Sequence, residues 1–182
     1  MVAAAGVVLL TACGGGVENA ADRLEEVRRA GERTMPFDLD KTQHSFHKTE
    51  DGGIQTVAVR EDGDGEQVEL IRRHLREVAA EFAAGNFQDP ISIHGEEMPG
   101  VRELSAGVDR LQITYRDVSR GGEITYKTGD DVMVGHLHAW FEAQVAEHGI
   151  DATHGPTGHT MTEEMWRRHH PGQPYPDEES GD

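Results

Sequence analysis

The sequence predicts an α+β domain built as a ββαββα pseudo-duplication, an antiparallel sheet with two helices on one face. Three observations point there. Two stretches alternate apolar and polar residues on either side of a Gly-Gly turn. Each is followed by a stretch with apolar residues at three-four spacing, closed by a glycine. The two halves repeat these elements in the same order.

In the first half, Thr42 to Thr49 alternates loosely around Phe46, and Asp51-Gly52-Gly53 is a turn. Ile54 to Val59 follows as the second strand of a hairpin. A helix then runs from about Glu66 to Ala84, with Val68, Ile71, Leu75, Val78 and Phe82 as its buried stripe. Gly85-Asn86 ends it. In the second half, Leu111, Ile113 and Tyr115 alternate on one strand and Ile124 and Tyr126 on the next, joined through Arg120-Gly121-Gly122. Asp130 or Asp131 caps a second helix that runs to His148, with Val134, Leu137, Phe141 and Val145 facing the core. His74 aligns with His138, and Gly85 with Gly149. The connecting stretch 87–107 reads as a loop with a short helix after Pro99.

Outside this unit the pattern weakens. Residues 1–12 read MVAAAGVVLLTA, then comes Cys13, the only cysteine, and three glycines. Leu10-Thr11-Ala12-Cys13 resembles a lipobox, the mark of a bacterial lipoprotein. The resemblance implies a signal peptide over 1–12 and a diacylglycerol on the Cys13 thiol, hence a membrane anchor and a place in the cell envelope. The chain departs from the pattern in having no Lys or Arg before the apolar run. A stretch this short does not span a bilayer. Residues 13–34 are expected to be a tether, a loose spacer helix with only Leu24 and Val27 as apolar stripe, and 35–155 the domain. Residues 156–182 are expected to be a disordered tail, rich in Gly, Pro, His and acid.

The chain of 182 residues carries a formal net charge of -17. Such a surface repels polyphosphate and favours cations, so nucleic acid is excluded as a partner. No P-loop, Gly-x-Ser-x-Gly, dinucleotide fingerprint or His-Glu-x-x-His occurs.

Four segments, MPFDLDKTQHSFHKTEDGGIQTV, LIRRHLREVAAEF, IHGEEMPG and LHAWFEAQVAEHG, make residues 35–154 similar to a family of small uncharacterised bacterial proteins. Some of its members carry the label aspartate carbamoyltransferase. The resemblance implies a shared fold and carries no site residues with it. The label itself finds no support in the residues, since the Ser-x-Arg-Thr phosphate motif of that enzyme is absent and the enzyme is about twice this length.

The chemistry rests on histidine, of which there are eleven. His94 sits in Ile93-His94-Gly95-Glu96-Glu97-Met98-Pro99, a loop pinned by Gly and Pro. Imidazole with carboxylate suits zinc, and imidazole with thioether suits copper. His74 and His138 lie beside the apolar stripes of their helices, where a pseudo-twofold axis would bring them together. The expected ligands are therefore His94, His138, His74 and Met98. His148 reads as a cap on the last carbonyls of its helix, and of His44 and His47 at most one faces the core. The expected function is metal binding, copper or zinc, by an envelope lipoprotein. The alternatives are a small histidine-dependent enzyme with its pocket between 87–107 and the second helix, and a non-catalytic interaction domain that displays its sheet. No catalytic residue is assigned.

Overall fold

The computed structural model describes residues 15–155. Cys13, the apolar run before it and the segment 156–182 lie outside these residues, and the lipid anchor and tail expectations with them. The described chain is α+β, as the periodicities predict. Its strands are β1 (Thr42–Thr49), β2 (Gly52–Val59), β3 (Gln112–Val118), β4 (Gly121–Lys127) and β5 (Ala152–Thr153). Its helices are α1 (Gly15–Thr34), α2 (Gly65–Ala83), α3 (Gln88–His94), α4 (Val101–Ala106) and α5 (Asp131–His148).

The sheet order is β3-β4-β2-β1-β5. The two hairpins join through their second strands, β2 against β4, with Gln55 opposite Ile124 and Thr56 opposite Glu123. That pairing is antiparallel, so the ββα units relate as a pseudo-twofold pair. β5 departs from the all-antiparallel expectation. It runs parallel to β1, with His44 beside Ala152 and Ser45 beside Thr153. A parallel neighbour needs a long crossover, and α5 comes between β4 and β5 in the chain.

Both α2 and α5 cover the same face. A Cβ on Gly53 would stand 2.4 Å from Phe141 Cε2, and one on Gly122 would stand 3.1 Å from Leu75 Cδ1. Gly53 lies opposite Tyr126, and Gly122 opposite Val57, so by strand alternation both glycines face the helices. The other sheet face is mostly polar, with Ser45, Thr56, Glu123 and Arg116 on it. Arg116 Nε and Nη2 donate to Glu123 at 2.6 and 2.9 Å.

Asp64 Oδ1 accepts from Gln67 N and starts α2, whose buried stripe is Ile71, Leu75, Val78, Ala79 and Phe82. Asp130, not Asp131, caps α5 through Val132 N and Met133 N. Helix α5 buries Met133, Leu137, Trp140, Phe141 and Gln144. The predicted positions Val134 and Val145 are only half-buried. The inward arc of α5 is centred on Leu137, Trp140 and Gln144, which puts Val134 and Val145 at its edge. Trp140 is the hub of the aromatic core, with the rings of Phe46, Phe82, Phe87, Tyr126 and Phe141 centred 5.6–6.5 Å away.

Segment 87–107 is more ordered than its sequence suggests. It folds into α3 and α4 and closes one end of the core with Phe87, Ile93, Met98, Val101 and Leu104. Gly100 sits at φ +81°, and a Cβ there would meet the His136 carbonyl at 2.2 Å. Nor is α1 a loose spacer. Val27 and Ala30 are buried against Ile93, and Arg28 reaches Asp151 and Asp40 at 2.6 Å each. Asp151 also takes Arg60 at 3.0 Å, so one nearly buried carboxylate ties α1 to the end of β2 and to β5. Among the described residues, no helix is long and apolar enough to cross a membrane.

Candidate functional site

Where the inner face of β1, the end of α1, α2, α3 and α5 meet, they leave a cavity of about 40 Å³. That is room for roughly three water-sized groups. His44, His74, His94 and His148 line it together with Trp140 and Gln144. Phe37, Phe46 and Phe82 form apolar wall.

Each histidine reaches the cavity for a local reason. His44 precedes Phe46 by two on β1, so both point inward. His94 is the last residue of α3, and its helix is held by the burial of Ile93 against α1. Trp140, Gln144 and His148 recur every four residues on α5, which puts them in one row along the helix. His74 lies on α2 and meets the Phe37 ring edge-on at 5.7 Å.

His148 stands between two of the others. Its ring centre is 5.1 Å from that of His44 and 4.9 Å from that of His94. His94 Nδ1 lies 2.8 Å from Glu147 Oε2, and the same oxygen accepts from Arg23 Nη2 at 2.9 Å. Arg23 also donates to the His94 carbonyl at 2.7 Å, so α1 fixes both the backbone and the side chain of His94. His44 Nδ1 is buried with no partner. Trp140 Nε1 is likewise buried with no partner.

These environments keep the imidazoles neutral. Burial pushes His44 down to about 4, helped by His74, with the Asp151 backbone bond opposing. Burial also lowers His148, and His44 and His94 add to that. Burial lowers His94 against the opposing pull of Glu147, and lowers His74 against that of Asp89.

Of the expected ligands, the structure brings His74 and His94 to this cavity and leaves His138 and Met98 out of it. His138 Nε2 sits at the first hairpin turn, 3.1 Å from the Thr49 carbonyl and 2.8 Å from that of Gly52. One ring nitrogen serves two carbonyls there, which is a structural duty. Met98 is buried in the core and plugs the end that α4 closes. The pseudo-twofold thus keeps His74 and His138 apart, because each helix crosses over the other unit's hairpin, α2 onto β3 and β4 and α5 onto β1 and β2. His44 and His148 take the places expected for His138 and Met98. The inward alternation of β1 signals His44, and the four-residue row with Trp140 and Gln144 signals His148. Nothing local in the sequence marks Glu147 or Arg23.

Among the described residues, no group of three or more His, Cys, Asp or Glu side chains could hold a metal ion as they stand. No protein-family model, curated protein or solved structure matches the chain.

Proposed function

We propose that the chain binds a divalent transition-metal ion, zinc or copper(II), through His44, His94 and His148. One observation carries the reading. The His94 imidazole has Nδ1 spent on Glu147, the kind of carboxylate partner that orients metal-bound histidines, which leaves the lone pair of the neutral ring on its other nitrogen. His44 adds a buried, unpartnered Nδ1.

His148 supplies the third nitrogen. Two imidazoles on one tetrahedral ion, at Zn–N of about 2.0–2.1 Å, have ring centres roughly 5 Å apart. The observed spacings of 5.1 and 4.9 Å match this. The donors do not yet point at one spot, so capture turns the His148 and His44 rings while Glu147 holds His94. The soft thioether of Met98 is out of reach, which favours an all-nitrogen ion over copper(I). His74, across the cavity, is a neighbour in this reading. We propose further that Leu10-Thr11-Ala12-Cys13 directs lipidation of Cys13 and so places the domain at an envelope membrane.

The test is titration of the full chain with zinc and copper(II), followed by His44→Ala, His94→Ala and His138→Ala. His159, His169 and His170 add weak sites that none of these substitutions touches. Loss of one sub-micromolar site in the first two variants, and its retention in the third, is the expected result. If the first two variants bind as the parent does, the metal reading fails, and the Glu147–His94 pair reads instead as an oriented general base.

A further inference from the structure

We propose that the segment 156–182 of this chain returns across the outer face of the sheet and covers it, with Met161, Met165 and Trp166 over β2 and β4. The proposal is independent of the metal reading. It starts from burial on a face over which no described helix lies. By strand alternation Ser45, Thr56, Ala58 and Glu123 point away from α2 and α5. The remaining helices pack on α5 or on one another, α4 on α5 and α1 on α3 and α5. Yet Ser45 and Ala58 are only 1% exposed, Thr56 2% and Glu123 3%.

The sheet's own side chains do not account for this dryness. Glu123 pairs with Arg116, whose side chain is 60% exposed. A guanidinium standing so far in water does not keep water from the carboxylate beneath it. Ser45 Oγ is buried too, with no hydrogen-bond partner among the described residues. On an open face water would reach that hydroxyl. A further layer over the middle of the sheet accounts for both.

The position of the chain end selects the occupant. The described chain ends at Gly155, two residues past β5, and Thr153 lies beside Ser45 on the edge of the sheet. From β5 to the far strand β3 is a walk of strand spacings near ~4.8 Å, which about six extended residues complete. Met161, Met165 and Trp166 therefore reach β2 and β4 without strain. They supply adaptable and broad apolar contact. Arg167 and Arg168 follow directly and bring cations to the buried Glu123 carboxylate. Residues 1–14 fit less well. They hold no aromatic residue and no Lys or Arg, and they lead into α1 on the helical side.

The experiment uses the full chain labelled with carbon-13 and nitrogen-15. The Trp166 indole should show nuclear Overhauser contacts to the methyl groups of Thr56 and Ala58. The chain has only two tryptophans, and Trp140 is enclosed by the core, so acrylamide should quench the fluorescence weakly if Trp166 is covered as well. Trp166→Ala should raise the relaxation of the Thr56 and Ala58 methyls by a soluble gadolinium chelate several-fold. If that variant does not fold, the contacts and quenching of the unsubstituted chain decide. A Trp166 that lacks these contacts and is quenched freely overturns the proposal. So do contacts to the same methyls from residues 1–14, or contacts seen only between labelled and unlabelled copies, which would make a second chain the cover.

Discussion

Glu147 Oε2 lies 2.8 Å from His94 Nδ1 and holds that ring with its proton on the outer nitrogen. Arg23 in turn holds the carboxylate at 2.9 Å. The His94 ring is thus set by a chain of contacts that begins on α1. Glu147→Gln keeps the shape and removes the charge. Zinc affinity should fall about 10–100-fold, the range for lost outer partners of metal-bound histidine. Isothermal titration on the folded variant checks it, and unchanged affinity would show that the pair is only structural.

Stability should depend on pH in a window that carboxylates do not share. His44 is held down to about 4, and His74, His94 and His148 are lowered too. In the unfolded chain histidine titrates near ~6.5. Between these values the unfolded state takes up protons that the fold refuses. Stability is therefore full above about 6.5 and declines as pH falls toward about 4. At about 1.36 kcal/mol per pH unit, His44 alone accounts for roughly 3 kcal/mol of that decline. Urea midpoints measured from pH 7.5 to 4.5 should fall steadily, and less steeply in His44→Gln. A flat profile would mean that the cavity already admits charged imidazole.

Helix α1 should matter to the whole domain. Val27 is 1% exposed and packs with Ile93, next to His94. Val27→Ala should cost about 1–3 kcal/mol, the worth of a buried valine side chain. Removing 15–34 should lower the melting temperature further and abolish the high-affinity metal site. If the truncated chain melts as the full one does, α1 is the tether that its composition suggests.

His138→Ala separates structure from binding. It leaves the carbonyls of Thr49 and Gly52 without the ring nitrogen that bridges them. About 1–3 kcal/mol should be lost, as for other buried acceptors deprived of a donor. Zinc affinity should stay within a factor of about two, equivalent to roughly 0.4 kcal/mol.

The hairpins and the two long helices were legible because period and turn chemistry are local. Val68 through Phe82 repeats at helical spacing, and Asp51-Gly52-Gly53 turns the chain whatever surrounds it. The packing of α1 was not legible, since Val27 and Ala30 alone look too thin a stripe. Their burial depends on Ile93, more than sixty residues away, and on Arg28 finding Asp151. For the site, His74 and His94 were recognisable by position. His138 does not join His74, because each helix crosses over the other unit's hairpin and the symmetry carries the two rings apart. Trp140 and Gln144 lay in plain view on α5. They do not stand out in a sequence because an inward polar residue among apolar neighbours is visible only once the facing wall is known.

Asp151 has a further consequence. It is gripped by Arg28 from α1 and by Arg60 from the end of β2, just before β5 begins. One carboxylate therefore latches the first helix, the sheet and the last strand. Opening fluctuations at the two ends of the domain cannot occur independently, because releasing either one strands the same charge. Slow amide exchange around Val27 and around Ala152 should share one opening free energy, making the outermost elements part of the same cooperative unit as the cavity.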